Sequence, residues 1–174
     1  MRGCGGTDEW LMERVATGDD GALEELMRRY HSGLLAFIRR NTDSEPEDIY
    51  QETWINVVRA RNSYRPGARF APWMFRIALN LCRDAHRRRK SRPKTVELEA
   101  AANSPAPSSD SRASEIRDAL AMLDAREREV LELRYYQGYS EAETASILGI
   151  PEGTVKSRAH NAVKKIKNIM GPNE

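Results

Sequence analysis

Apolar residues recur at three- and four-residue spacing along most of this 174-residue chain, and that period predicts α-helices. In a first helix, capped by Asp8, the pattern places Trp10 on the buried face. Asp20 is the expected cap of a second helix, and Pro46 suits the first turn of a third, where a missing N–H costs nothing. The apolar positions of the second helix are Leu23, Leu26, Met27, Tyr30, Leu34, Phe37 and Ile38. Residues 1–90 are therefore predicted to form one helical domain.

A loop and a fourth helix complete this domain. Residues 61–71 include a Pro-Gly pair and are predicted to be a loop, and the helix is expected to start near Pro72. Core packing is the expected role of Trp73. The two apolar rows of the helix are Trp73, Ile77 and Leu81, and Phe75, Leu79 and Cys82.

The helical pattern stops at residue 91 and returns at Ser114. Residues 91–113 are rich in Ser, Pro, Ala and Asn, and such a composition has little to bury. They are predicted to be a flexible linker. Residues 114–174 then form a second domain, in which Asp124 and Glu127 cap a helix. The predicted fold class is all-α, with two small helical domains joined by that linker.

The second domain contains a predicted helix-turn-helix at about residues 141–160. Ser140 and Glu143 form a capping box that opens its first helix, and Gly149 is suited to the left-handed conformation that ends it. The next helix buries a stripe formed by Val155, Ala159, Ala162 and Ile166. Between residues 154 and 167 it carries Lys, Arg and His but no acid. A helix of this kind can lie in the major groove of DNA.

Charge along the chain is segregated although the formal net charge is only +2. Residues 43–52 hold five acids and no base, and residues 83–94 hold seven Lys or Arg against one Asp. An acidic helix can be a solvated face or a docking surface for a basic partner. Residues 86–90 carry more positive charge than the dipole at a helix end favours, so this cationic run is expected to contact phosphate.

Several function classes are excluded by what the sequence lacks. No Gly-rich phosphate loop, nucleophile elbow or paired-carboxylate motif is present, so no enzyme, cofactor or small-molecule substrate is predicted. Cys82 and His86 have the spacing of two metal ligands, but no second pair appears, and no metal site is expected. The N-terminus has no apolar signal segment and no stretch suits a membrane span. A cytoplasmic protein that is not itself a membrane protein is expected.

Three motifs together give the chain its resemblance to a known family. EDIYQETW, Glu47 to Trp54, resembles the helix with which sigma factors dock on core RNA polymerase. The segment Arg69 to Arg89 resembles their helix that reads the minus-ten element, and the segment Leu123 to Ile166 resembles their minus-thirty-five reader. The chain resembles bacterial sigma factors of the extracytoplasmic function group, which keep only regions two and four.

This resemblance implies residue roles in three groups. Docking on the beta-prime subunit is expected at about residues 48–61, through Asp48, Gln51, Glu52 and Ile55. Contacts with minus-ten DNA are expected from Tyr64, Arg65, Arg69, Phe70, Arg76, Asn80, Arg87 and Arg88. Phe70 can either pack beneath the surface or stack on a base. Contacts with minus-thirty-five DNA are expected from Thr154, Lys156, Ser157, Arg158, His160, Asn161 and Lys164. Residues near the helix start would reach base edges, and distal cations, including Lys165, would reach phosphate.

The resemblance also implies partners and regulation. The expected function is promoter-specific initiation with core RNA polymerase, through its beta-prime and beta subunits, on promoter DNA. An anti-sigma factor, often membrane-anchored in this family, would hold the chain inactive until a signal arrives. The alternative is a stand-alone helix-turn-helix regulator, which would leave the acidic helix and the basic run without a role.

Overall fold

The structure is a computed structural model that describes residues 6–42, 45–91 and 122–170. Side chains cap the first two helices of the chain. Helix α1 spans Asp8–Ala16 and begins after Thr7, whose hydroxyl accepts the Trp10 N–H at 3.2 Å. Helix α2 spans Asp20–Asn41, and its cap is Asp19, which accepts from Ala22 N–H. Both caps therefore lie one residue before those predicted. Ser91, the first residue of the predicted linker, belongs to a helix instead, and the rest of that linker with the start of the second domain, residues 92–121, lies outside the described residues.

Two further helices complete the N-terminal unit. Helix α3 spans Pro46–Arg59 with its proline in the first turn, as predicted, and a short 3-10 turn follows at Arg61–Ser63. Helix α4 spans Phe70–Ser91, so it starts two residues before the predicted Pro72. The carboxylate of Glu9 accepts the Phe70 N–H at 3.3 Å, which caps α4 from α1.

The core of this unit is formed by one face from each helix. Its fully buried large side chains are Leu11, Met12, Leu26, Leu34, Phe37, Ile38, Phe70, Met74, Phe75 and Leu79. Trp10 is not among them: it is 40% exposed, and the Arg14 guanidinium lies over its ring at 5.0 Å. The prediction that Trp10 is buried was wrong, because a cation can cover an indole face at the surface.

The chain divides into two compact units, and the C-terminal one is built around α5 and α7. Helix α5 spans Ala125–Leu131 and continues as a π-helical turn, Glu132–Tyr136. Helices α6, Glu141–Leu148, and α7, Glu152–Met170, form the helix-turn-helix. A cluster of Leu123, Leu131 and Ala162, with Val163 and Ile166 against it, packs α5 on α7.

The local signals of the helix-turn-helix are confirmed. The Glu143 N–H donates to the Ser140 hydroxyl at 3.2 Å, while the Ser140 N–H donates to the Glu143 carboxylate at 2.8 Å. Gly149 has a φ of +67°, the left-handed conformation predicted for it. Asp124 and Glu127 form a capping box at α5, also as predicted.

Candidate nucleic-acid and protein interfaces

One exposed stripe of α3 contains the predicted docking residues. Asp48, Gln51, Glu52 and Ile55 are all exposed, and they follow one another at helical spacing. Ile55 is 47% exposed in this acidic surrounding. The opposite face, formed by Ile49, Thr53, Trp54 and Val57, is buried. The stripe is therefore not needed for the fold, and it offers an apolar side chain among carboxylates to a partner.

An ion pair holds the start of α3 against α2. The Arg39 guanidinium donates to the Glu47 carboxylate at 2.8 Å. That hydrogen bond lowers the pKa of Glu47 below its ordinary value. Both side chains are more than half exposed, so the pair links α2 and α3 at the surface and contributes little to the stability of the fold.

Two aromatic residues predicted to contact minus-ten DNA are buried instead. Phe70 is fully buried, and its ring lies 5.6 Å from Tyr30, 6.4 Å from Trp54 and 6.2 Å from Trp73 between centroids. Tyr64 is also buried, and its hydroxyl donates to the Ala68 carbonyl. In this conformation neither ring presents a face to a base. Of the two alternatives for Phe70, the structure has the packed one.

Burial also affects the ionisation of Tyr64. It raises the pKa of this phenol to about 12, and the nearby carboxylates Glu9, Glu13 and Asp8 add to the effect. Trp73, which was expected to be a core residue, is only half-buried, with its ring 5.2 Å from that of Tyr64. The aromatic cluster shapes the loop, and Arg65 and Arg69 remain exposed on it. The exposed charged groups of the loop are therefore cationic.

The outer face of α4 carries the other predicted minus-ten residues. Arg76, Asn80 and Arg88 are exposed, and Arg87 donates to Asp84 Oδ1 at 2.6 Å. Asn80 also lines a cleft of about 390 Å³ between the end of α3 and the middle of α4. The remaining lining residues are Asn56, Arg59, Ala60, Ile77, Leu81 and Asp84. The polar members Asn56, Arg59 and Asp84 come close to Asn80 because the end of α3 meets the middle of α4 there.

Helix α7 presents most of the predicted minus-thirty-five residues to solvent. Lys156, Ser157, His160, Asn161 and Lys164 are exposed. Two others, Thr154 and Arg158, are half-buried. The Ser157 hydroxyl donates to the Thr154 carbonyl at 3.1 Å, so its lone pairs are the part it can offer to a base. The buried stripe includes Val155 and Ala162, as the spacing predicted.

Lys165, which was expected to contact phosphate, pairs with a carboxylate of α5 while its own side chain is 49% exposed. Its ammonium lies 2.7 Å from Glu127 Oε1 and 2.8 Å from Oε2. The Glu127 side chain is only 8% exposed, and the same carboxylate accepts from the Asp124 N–H in the capping box. Because a buried carboxylate needs a cation, Lys165 fastens α7 to α5.

Two further classes of site are absent from the described ranges. None of the helices there combines the length and apolar composition of a membrane-crossing segment. Nor do residues 6–42, 45–91 and 122–170 bring together three or more His, Cys, Asp or Glu in a way that could hold a metal ion. Cys82 is buried in α4, whereas His86 is exposed.

Comparison with known proteins places this arrangement in a family. The Sigma-70 region 2 model matches residues 26–92, and the model for Sigma-70, region 4 matches residues 113–166. The RNA polymerase sigma factor CarQ of Myxococcus xanthus is 34% identical over 168 residues, which cover 92% of this chain and 95% of CarQ. The ECF RNA polymerase sigma factor SigM of Mycobacterium tuberculosis is 34% identical over 173 residues, covering 95% and 85%. The chain belongs to the extracytoplasmic function group of the sigma-70 family.

A solved structure agrees with this assignment. The sigma factor RpoE of Bartonella quintana, in complex with the anti-sigma factor NepR, superposes on this sigma factor with a TM-score of 0.71 and 25% identity. The match covers 87% of this chain and 98% of RpoE. The family and the all-α fold expected from the sequence are thereby confirmed. As a sigma factor, the protein acts in transcription initiation and directs RNA polymerase to promoters.

Proposed function

We propose that this sigma factor docks on the beta-prime subunit of core RNA polymerase through the exposed stripe of α3. The observation that carries the proposal is Ile55, which is exposed among Asp48, Gln51 and Glu52 on a helix whose opposite face is buried. An apolar anchor surrounded by charge is the usual composition of a specific protein interface. The acids steer a basic partner, and the isoleucine supplies buried area.

The DNA contacts are proposed to divide between the two units. The exposed groups of the loop and of α4, among them Arg65, Arg69, Arg76 and Asn80, hold the melted minus-ten strand. Cations along the strand and a hydrogen-bonding edge are what single-stranded DNA requires. The start of α7, with Lys156, Ser157, His160 and Asn161, reads the minus-thirty-five duplex in the major groove. Tyr64 and Phe70 shape the loop from beneath.

Residues 1–90 and 114–174 are proposed as the two domains, joined by residues 91–113.

Run-off transcription with purified core polymerase tests this assignment. Glu52→Lys should lower initiation because it reverses a charge in the docking stripe. Glu24→Lys is the matched control, since it makes the same change at another exposed acid, on α2. Equal activity of the two variants would contradict docking through α3. Tight binding of promoter duplex by the wild type, without core-dependent transcripts, would instead favour a stand-alone regulator.

We also propose that an anti-sigma factor covers these surfaces until a signal arrives. The support is the RpoE structure, in which a related sigma factor is bound to its anti-sigma factor. A purified candidate must displace the full chain from core polymerase and abolish run-off transcription. A candidate that binds the chain yet leaves transcription unchanged is not its anti-sigma factor. Fractionation of cells then tests whether the partner is membrane-anchored.

A further inference from the structure

The start of α4 takes a hydrogen-bond acceptor from a helix far away in sequence. The first N–H groups of a helix have no partner within it, and the side chain of the preceding residue commonly supplies one. Here that residue is Arg69, whose guanidinium donates but cannot accept. The Glu9 carboxylate of α1 accepts the Phe70 N–H at 3.3 Å. Its negative charge also suits the positive end of the α4 dipole.

The loop of residues 64–69 is a closed turn between two anchored ends. Tyr64 begins the loop and Phe70 follows it, and both side chains are buried. Within the loop the Ala68 N–H donates to the Arg65 carbonyl at 3.0 Å, and the Tyr64 hydroxyl donates to the Ala68 carbonyl. A turn closed in this way moves as one piece, so its direction depends on how its two ends are held.

Helix α1 lies near both ends of this loop. Burial raises the pKa of Tyr64 to about 12, and three carboxylates of α1 add to the effect. They belong to Asp8, Glu9 and Glu13, so α1 lies near the start of the loop, while the hydrogen bond of Glu9 reaches its end. Asp8 also pairs with Arg29 of α2 at 2.8 Å, which ties α1 to the rest of the unit. Glu9 therefore stands on a fixed support.

We propose that Glu9 is a positioning residue for the loop of residues 64–69. By holding the start of α4, it keeps the exposed Arg65 and Arg69 where they meet the melted strand. Glu9 acts on the strand only through the loop, since its carboxylate is bonded to the Phe70 backbone. This inference rests on the proposed function, which assigns the loop to the melted strand.

Positioning and simple electrostatics predict opposite effects when Glu9 is removed. A carboxylate close to cations that bind DNA weakens binding through its charge, so its removal should strengthen binding if charge alone matters. If Glu9 positions the loop, its removal should weaken binding, because the Phe70 N–H loses its acceptor and the loop loses its direction. The sign of the change therefore distinguishes the two.

The test measures how much template the full chain with core polymerase retains when the minus-ten segment is unpaired. Glu9→Ala should lower retention about fivefold. Glu9→Gln keeps an oxygen that can accept the Phe70 N–H, so its retention should stay within about twofold of the wild type. Glu13→Gln is the matched control one turn along α1, and it should retain at least as much template as the wild type.

Two further measurements separate positioning from a loss of the fold. Competition with labelled wild type for core polymerase should show equal affinity for Glu9→Ala, because the docking stripe lies on α3. Arg65→Ala should cost less retention in the Glu9→Ala background than in the wild type, since a displaced loop has less contact to lose. Where Glu9→Ala does not fold, Glu9→Asp replaces it, because its shorter side chain keeps the charge and should still lower retention.

Several results would overturn the inference. They are unchanged or higher retention in Glu9→Ala, an equal loss in Glu9→Gln, a parallel loss of affinity for core polymerase, or additive losses with Arg65→Ala. Wild-type retention by Glu9→Asp would do the same where that variant is used. If core polymerase with the wild type retains no more of the unpaired template than core alone, the proposed function itself fails.

Discussion

Thr144 is the clearest weak point in the described part of the C-terminal unit. Its side chain is fully buried in α6, and its hydroxyl oxygen has no hydrogen-bond partner among the described residues. A buried polar group without a partner loses its bonds to water and gains nothing in return. Replacing Thr144 by Val keeps the branched shape and puts a methyl group where the hydroxyl lies. The variant should therefore be more stable than the wild type.

The size of the gain follows from the environment of the hydroxyl. Leaving a buried hydroxyl unsatisfied costs about 1–3 kcal/mol, and valine does not carry that cost. Val and Thr have similar helix propensities, so the backbone of α6 contributes little to the difference. We expect the free energy of unfolding of the C-terminal unit to rise by about 1–2 kcal/mol, a factor of about 5–30 in its opening equilibrium.

The assay must separate the two units, and the distribution of tryptophan allows it. All three tryptophans, Trp10, Trp54 and Trp73, belong to the N-terminal unit. Their fluorescence during denaturation should be the same in Thr144→Val and wild type. Hydrogen exchange of peptides from residues 141–170 should be slower in the variant by about the factor of 5–30 given above.

Thr144→Ser provides the control for this reasoning. It retains the hydroxyl and removes a buried methyl group, so it should lose about 1 kcal/mol. A loss of stability in Thr144→Val would refute the argument. It would mean that the hydroxyl is hydrogen-bonded in solution, most simply to the Ser140 carbonyl, which already accepts the Thr144 N–H at 2.9 Å.

Three further predictions concern α7, the turn before it and Tyr64. Lys164→Ala should flatten the logarithmic salt dependence of duplex binding by about 0.9, whereas Lys165→Ala should mainly destabilise the C-terminal unit, since it leaves Glu127 buried and unpaired. Equal salt slopes in both variants and the wild type would contradict this division. Gly149→Ala should cost about 1 kcal/mol in thermal unfolding, because its φ of +67° strains a residue with a Cβ. Above pH 10 the unfolded state ionises Tyr64 before the folded state does, so stability should fall between pH 10 and about 12. Tyr64→Phe should lose less stability than the wild type over that pH range when unfolding is followed by tryptophan fluorescence.

The helix-turn-helix could be predicted because its signals are local. The Ser140–Glu143 capping box and the left-handed Gly149 each depend on residues close in sequence, and both are confirmed. The buried stripe of α7 follows from helical spacing alone. Local chemistry of this kind is complete within a few residues, so the sequence is sufficient to specify it.

Other features depend on groups distant in sequence or on irregular backbone. Helix α4 starts at Phe70 because Glu9, 61 residues earlier, accepts its N–H. Phe70 is buried because rings from α2, α3 and α4 surround it, which periodicity within one helix does not reveal. The π-helical turn Glu132–Tyr136 shifts the helical register by one residue, so patterns drawn for 3.6 residues per turn fail there.

Two adjacent cations of α7 show why a charge count alone does not define a DNA interface. Lys164 and Lys165 are adjacent and equally basic, so the sequence gives no reason to separate them. In the fold both lysines are exposed, but Lys165 also pairs with Glu127, whose carboxylate caps α5. If Lys165 left Glu127 to contact a phosphate, a buried carboxylate would remain without a cation. The free energy lost in this way exceeds the free energy gained from a contact at the surface. We therefore expect α7 to make fewer phosphate contacts than it has lysines, and the slope of the salt dependence of binding should reflect that smaller number.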